Sequence, residues 1–158
     1  LVPILMIAFL GFAFGWAKPV PIDWRNLRNP RRDMVLVAAA GPASNLLMAI
    51  IWALITKLAG FLPESLAIIA LPLVYMGIFG IFINVILMVF NLIPIPPLDG
   101  GRVAVGLLPP SMSLALSKLE PYGLLIILVL LGTGLLWRGI GPFIYIITNF
   151  VSLITGLS

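Results

Sequence analysis

The 158-residue sequence contains neither histidine nor cysteine. Without cysteine it can form no disulfide and no thiolate metal site. Without histidine it lacks the commonest general base and the commonest zinc ligand. Charge is scarce as well: only 9% of residues are Asp, Glu, Lys or Arg, against about 25% in an ordinary soluble domain. Nine basic and five acidic side chains cannot clothe a chain of this size in water. No internal repeat and no low-complexity tail stands out.

What is present is apolar. Hydrophobic residues make up 62% of the chain and the mean hydropathy is +1.23, so lipid is the natural solvent for its surface. The 15 glycines and 14 prolines punctuate apolar runs, where membrane helices tolerate them. Five of the nine basic residues (Lys18, Arg25, Arg28, Arg31 and Arg32) fall in one stretch, residues 18–33. Such a loop is a positive-inside signal, not a nucleic-acid patch.

Residues 1–17 are uncharged but short for a span of ~30 Å at ~1.5 Å per residue, so they read as a partial or re-entrant segment. Apparent spans follow at 34–56, 73–93, 122–137 and 140–157, the last two divided by Arg138, while residues 99–120 read as interfacial. Pro72 and the Pro94–Pro97 cluster trim the second span. The expected fold is therefore an all-α integral membrane protein in one membrane-embedded domain, residues 1–158. It has about four transmembrane helices plus the N-terminal segment. With loop 18–33 on the cytoplasmic side of a prokaryotic cell membrane, Asp99 falls on that side too. The sequence starts at Leu1 inside an apolar run, without Met or a charged leader, and the expectation is that sequence is missing upstream.

Polar residues stand out against this background. An Asp at the centre of a membrane helix costs roughly 2.5–3.5 kcal/mol, so such residues tend to mark sites. Asp23, Asp33, Glu64 and Glu120 fall in expected loops and read as solvated caps or phosphate-loop partners. Asp99 differs, because a long uncharged run precedes it and Gly100-Gly101 follow. It can be an N-cap or turn residue, or a metal ligand on backbone unwound by the preceding prolines. Asn45 and Asn91 can be helix–helix hydrogen-bonding groups or donors to a substrate carbonyl or oxyanion. Gly41-Pro42 can be a kink or a close helix contact. At ~1.5 Å per residue, facing helices could bring Asn45, Asn91 and Asp99 to similar depths.

The string Asn91-Leu-Ile-Pro-Ile-Pro-Pro-Leu-Asp-Gly-Gly101 resembles the second signature of the site-2 proteases, a family of zinc intramembrane metalloproteases. Ala40-Gly-Pro-Ala-Ser-Asn45 resembles their G-P-x-x-N helix. Phe14-Gly-Trp-Ala-Lys-Pro-Val-Pro21, with the basic loop after it, resembles their small prokaryotic branch. Residues 14 to about 105 carry the resemblance; the rest matches in character only. It implies that Asp99 is the carboxylate ligand of a catalytic Zn²⁺ and that Asn45 and Asn91 lie near the active site. The implied reaction is hydrolysis of peptide bonds in transmembrane protein substrates by a zinc-bound water. The implied partners are those substrates and membrane lipids, with no nucleic acid; the oligomeric state is open.

One departure is severe. The family's H-E-x-x-H helix supplies two ligands and a general base, and this sequence has no His at all. As written, the chain should be inactive. Either the sequence is a portion without that helix, or it is a catalytically inactive relative that binds without cutting. A small ion or proton transporter subunit using Asp99 and a plain membrane scaffold are the alternatives from other classes.

Overall fold

The computed structural model describes residues 29–157; the expected N-terminal segment 1–17 and most of loop 18–33 lie outside the described residues. Among the described residues all regular structure is helical. The first helix, α1, runs Pro30–Gly60, starting four residues before the expected span and ending four after it. Pro30 takes the first helical position, where its missing N–H costs nothing. Asp33 accepts a hydrogen bond from the Asn29 N–H at 3.1 Å and complements the positive end of the helix. Lys57, just beyond the expected span 34–56, occupies the last turn of α1 and donates from Nζ to the Thr155 carbonyl at 2.8 Å.

A short 3-10 turn at Glu64–Leu66 leads into α2, Ala67–Asn91. Pro72 lies inside this helix rather than ahead of it, since a membrane helix absorbs the loss of one intrahelical bond. The α1–α2 pair is antiparallel and closely packed. Ala49, Ala53, Thr56 and Ala59 of α1 are buried, as are Gly77, Ile81, Val85 and Val89 of α2. A Cβ added at Gly80 would collide with the Trp52 ring, and one at Gly77 with the Thr56 hydroxyl. Small residues that let backbones approach are how helices associate without a hydrophobic drive between them.

After an irregular segment come α3 (Asp99–Leu107), α4 (Pro110–Ser117), α5 (Glu120–Gly132) and α6 (Leu135–Thr155). The break before α6 falls at Thr133-Gly134, ahead of Arg138, which is itself helical. Gly134 has φ +75°, a left-handed conformation that glycine adopts without strain. The buried cluster joins Ala49 and Ala53 of α1, Ile81, Val85 and Val89 of α2, and Leu136, Ile140 and Val151 of α6.

The outer surface is apolar: Ile68 is 85% and Phe79 70% exposed, which lipid tolerates and water does not. Among the described residues three helices are long and apolar enough to cross a membrane, or four if the pair α4–α5, bent by 66°, counts as one span. The architecture is the all-α membrane fold expected from composition.

Candidate functional site

Between α2 and α3 the chain unwinds over residues 92–98. Pro94, Pro96 and Pro97 remove three N–H donors, and the Pro96–Pro97 bond is cis. The four remaining donors are satisfied locally. Leu92 N–H donates to the Met88 carbonyl at 3.0 Å, Ile93 N–H to Phe90 at 3.2 Å, Ile95 N–H to Ile93 at 2.8 Å and Leu98 N–H to Ile95 at 3.0 Å. Irregular backbone at this place therefore leaves no donor stranded, the condition for tolerating it near lipid.

Asp99 opens α3. Leu98, not Asp99, is the N-cap, and no side chain caps the helix, so Asp99 does not serve as the capping residue. Gly100 and Gly101 are buried beneath the irregular segment. A Cβ on Gly100 would run into the Leu92 carbonyl, and one on Gly101 into the backbone at Ile95–Pro96. Gly123 near the start of α5 meets the Pro96 carbonyl just as closely. Three glycines thus seat the proline segment between α3 and α5.

The Asp99 side chain points to α1. A Cβ built on Gly41 would stand 2.5 Å from Asp99 Oδ2 and 3.5 Å from its Cγ. Further along α3, Gly106 packs on Val35 and on the Arg31 carbonyl, so α3 lies antiparallel along the first half of α1. Burial raises the Asp99 carboxyl above the ordinary carboxylate range, and the positive Arg102 guanidinium works against that shift.

Asn45 sits four residues after Gly41, one turn along the same face of α1. Asn91 is the last residue of α2. The contacts Thr56–Gly77 and Trp52–Gly80 define the antiparallel register. Continued at ~1.5 Å per residue, that register sets Gly41 level with the last turn of α2. The three residues singled out from the sequence thus belong to adjoining turns of α1, α2 and α3. All three are half-buried.

Other polar side chains of the helices are used locally. Ser44, Thr56, Asn84 and Thr155 each donate to the carbonyl four residues back. Among the described residues Asn45, Asn91 and Asp99 show no such side-chain hydrogen bond. Leu92, Ile93 and Pro94 also line an apolar cavity of about 450 Å³ shared with Leu130 of α5 and with Ile140 and Phe143 of α6.

The donor set does not amount to a catalytic zinc site. Such a site takes three protein ligands, whereas no three His, Cys, Asp or Glu residues come together among the described residues. The whole sequence offers no His or Cys. Asp99 supplies one anionic ligand and no more. The steric roles of Gly41 and Gly123 were not visible in the sequence, because each depends on a residue far away along the chain.

Similar proteins carry telling names. The chain is 39% identical over 140 residues to "Putative zinc metalloprotease YwhC" of Bacillus subtilis, a match covering 85% of this chain and 64% of that protein. It is 32% identical over 149 residues to "Putative zinc metalloprotease Rip2" of Mycolicibacterium smegmatis, covering 94% of this chain and 54% of that protein. A shorter match, 40% over 67 residues, is to "Putative zinc metalloprotease MJ0611" of Methanocaldococcus jannaschii. The chain thus spans roughly three-fifths of the length of the first two relatives. No family model matches it, and no solved structure matches it.

Proposed function

We propose that this chain is the carboxylate-bearing part of a membrane-embedded zinc metalloprotease of the site-2 protease type, which hydrolyses peptide bonds in transmembrane substrates. The observation that carries the proposal is the setting of Asp99. Among the described residues its carboxylate neither caps α3 nor takes part in a side-chain hydrogen bond, and it opens α3 directly after the donor-satisfied irregular segment and beside α1. A half-buried carboxylate without a capping or hydrogen-bonding role among the described residues is the type of group a metal centre uses. The names of the relatives point the same way.

In this reading Asp99 is one zinc ligand, and the two other ligands and the general base come from outside these 158 residues. Asn45 and Asn91 would hold the carbonyl or the developing oxyanion of the substrate, a role that needs free amide donors. The apolar cavity beside Leu92–Pro94 offers room for apolar side chains of a membrane-derived peptide. Asp99 and the basic end of α1 face the cytoplasm of a prokaryotic cell.

The absence of His and Cys favours a second reading, a relative that binds such substrates without cutting them. The test uses the complete polypeptide that carries this sequence, purified in detergent. Stoichiometric zinc and cleavage of a transmembrane reporter, both lost in Asp99→Ala, are expected of the protease. A wild-type protein that holds no zinc and cuts nothing, yet retains the reporter, would establish the binding-only reading instead.

A further inference from the structure

We propose that Gly41 is a positioning residue, whose missing side chain gives the Asp99 carboxylate its place against α1 and sets it one helical turn from Asn45. The relevance of this to catalysis rests on the reading of Asp99 as a zinc ligand; the positioning itself does not.

Glycine in a helix interior is unfavourable compared with alanine, so its presence there calls for a reason. Most of the other close-packed glycines lie against backbone or apolar and aromatic groups: Gly80 against Trp52, Gly100 against Leu92, Gly123 against Pro96. Gly41 is different. Among the described residues the atoms that its Cβ would meet within 4 Å are Oδ2 and Cγ of Asp99. The Cβ of any L side chain at 41 would stand 2.5 Å from a carboxylate oxygen, closer than the two can approach, so one of them has to shift. Because α1 is continuous through this point, the displacement would fall on the Asp99 side chain, moving its carboxylate from this place.

A simpler account is that Gly41 is glycine because Pro42 follows it, since the proline ring crowds the Cβ of a preceding helical residue. Two other places in the molecule weigh against this being sufficient. Leu71 precedes Pro72 inside α2, so a helical proline does not demand glycine before it. Gly141 precedes Pro142 inside α6, and no described residue comes within 4 Å of its would-be Cβ. Gly141 therefore supplies an internal control for the proline effect alone.

The test is a double-mutant cycle in the complete polypeptide, with Gly41→Ala, Asp99→Ala and the pair, and Gly141→Ala alongside. Thermal midpoints and zinc affinity are measured for each. Any cost arising from Pro42 is common to both backgrounds and cancels in the cycle. The expectation is that Gly41→Ala lowers the midpoint in the wild-type background by at least about 2–4 °C more than in the Asp99→Ala background. It should also weaken zinc about 10-fold or more, as displacement of a ligand's support does, while Gly141→Ala leaves zinc affinity unchanged.

Equal midpoint shifts in the two backgrounds would overturn the positioning role, whatever the metal does. Coupled shifts with full zinc retained in Asp99→Ala would uphold it and remove the ligand reading instead. If Gly41→Ala alone fails to accumulate, recovery of the double variant supports the proposal. Failure of the double variant where Asp99→Ala accumulates by itself contradicts it.

Discussion

Asp99, Asn45 and Asn91 could be picked out of the sequence because polar groups are expensive amid apolar residues. Expense alone did not say whether Asp99 was a cap or a ligand. The structure adds that Leu98 is the N-cap and that the Asp99 carboxylate lies against Gly41. That second fact was beyond the reach of sequence reading, because Gly41-Pro42 looks the same whether it kinks a helix or clears room for a partner 58 positions away. The division of labour proposed between the asparagines and Asp99 is separable by experiment. Asn45→Ala in the complete polypeptide is expected to reduce cleavage about 10²–10³-fold, the usual effect of losing one oxyanion donor, with zinc content unchanged. A parallel loss of zinc and rate, measured on the same preparation, would place Asn45 in support of the metal rather than of the substrate.

At the scale of elements, hydropathy located the helices and missed their ends. Pro30 and Pro72 look like breakers in a sequence, yet both are helical here, one because it starts a helix and the other because a membrane helix survives the loss of one bond. Arg138 looked like the divider of the last apolar stretch because it carries charge. The divider is instead a conformation: Gly134 at φ +75°, which no composition window detects. A side chain in that conformation costs about 1–2 kcal/mol. Gly134→Ala is therefore expected to lower the thermal midpoint by roughly 2–8 °C. Gly132→Ala, at a helical glycine whose would-be Cβ meets no described residue within 4 Å, should do little or raise it. Similar midpoints for the two variants would show that the left-handed turn is not what separates α5 from α6.

For the whole molecule, the scarcity of charge was enough to predict the solvent and the fold class, since it concerns the surface and not any particular contact. Topology depends on more. In the proposed orientation, which follows the positive-inside rule, Arg31 and Arg32 lie in the cytoplasm, and Gly106 packs α3 on the same end of α1. The turn around Glu64 lies at the other end of the α1–α2 hairpin. An impermeant thiol reagent applied outside intact cells should therefore label a cysteine placed at Glu64 and spare one placed at Leu107, which is itself 71% exposed. The reverse pattern would invert the orientation.

The central claim is that Asp99 is a zinc ligand whose partners are not in this sequence. Metal analysis of the complete polypeptide, wild type beside Asp99→Ala, tests it most directly. One zinc per wild-type chain and none in the variant is the predicted result; a variant that keeps stoichiometric zinc would contradict the claim.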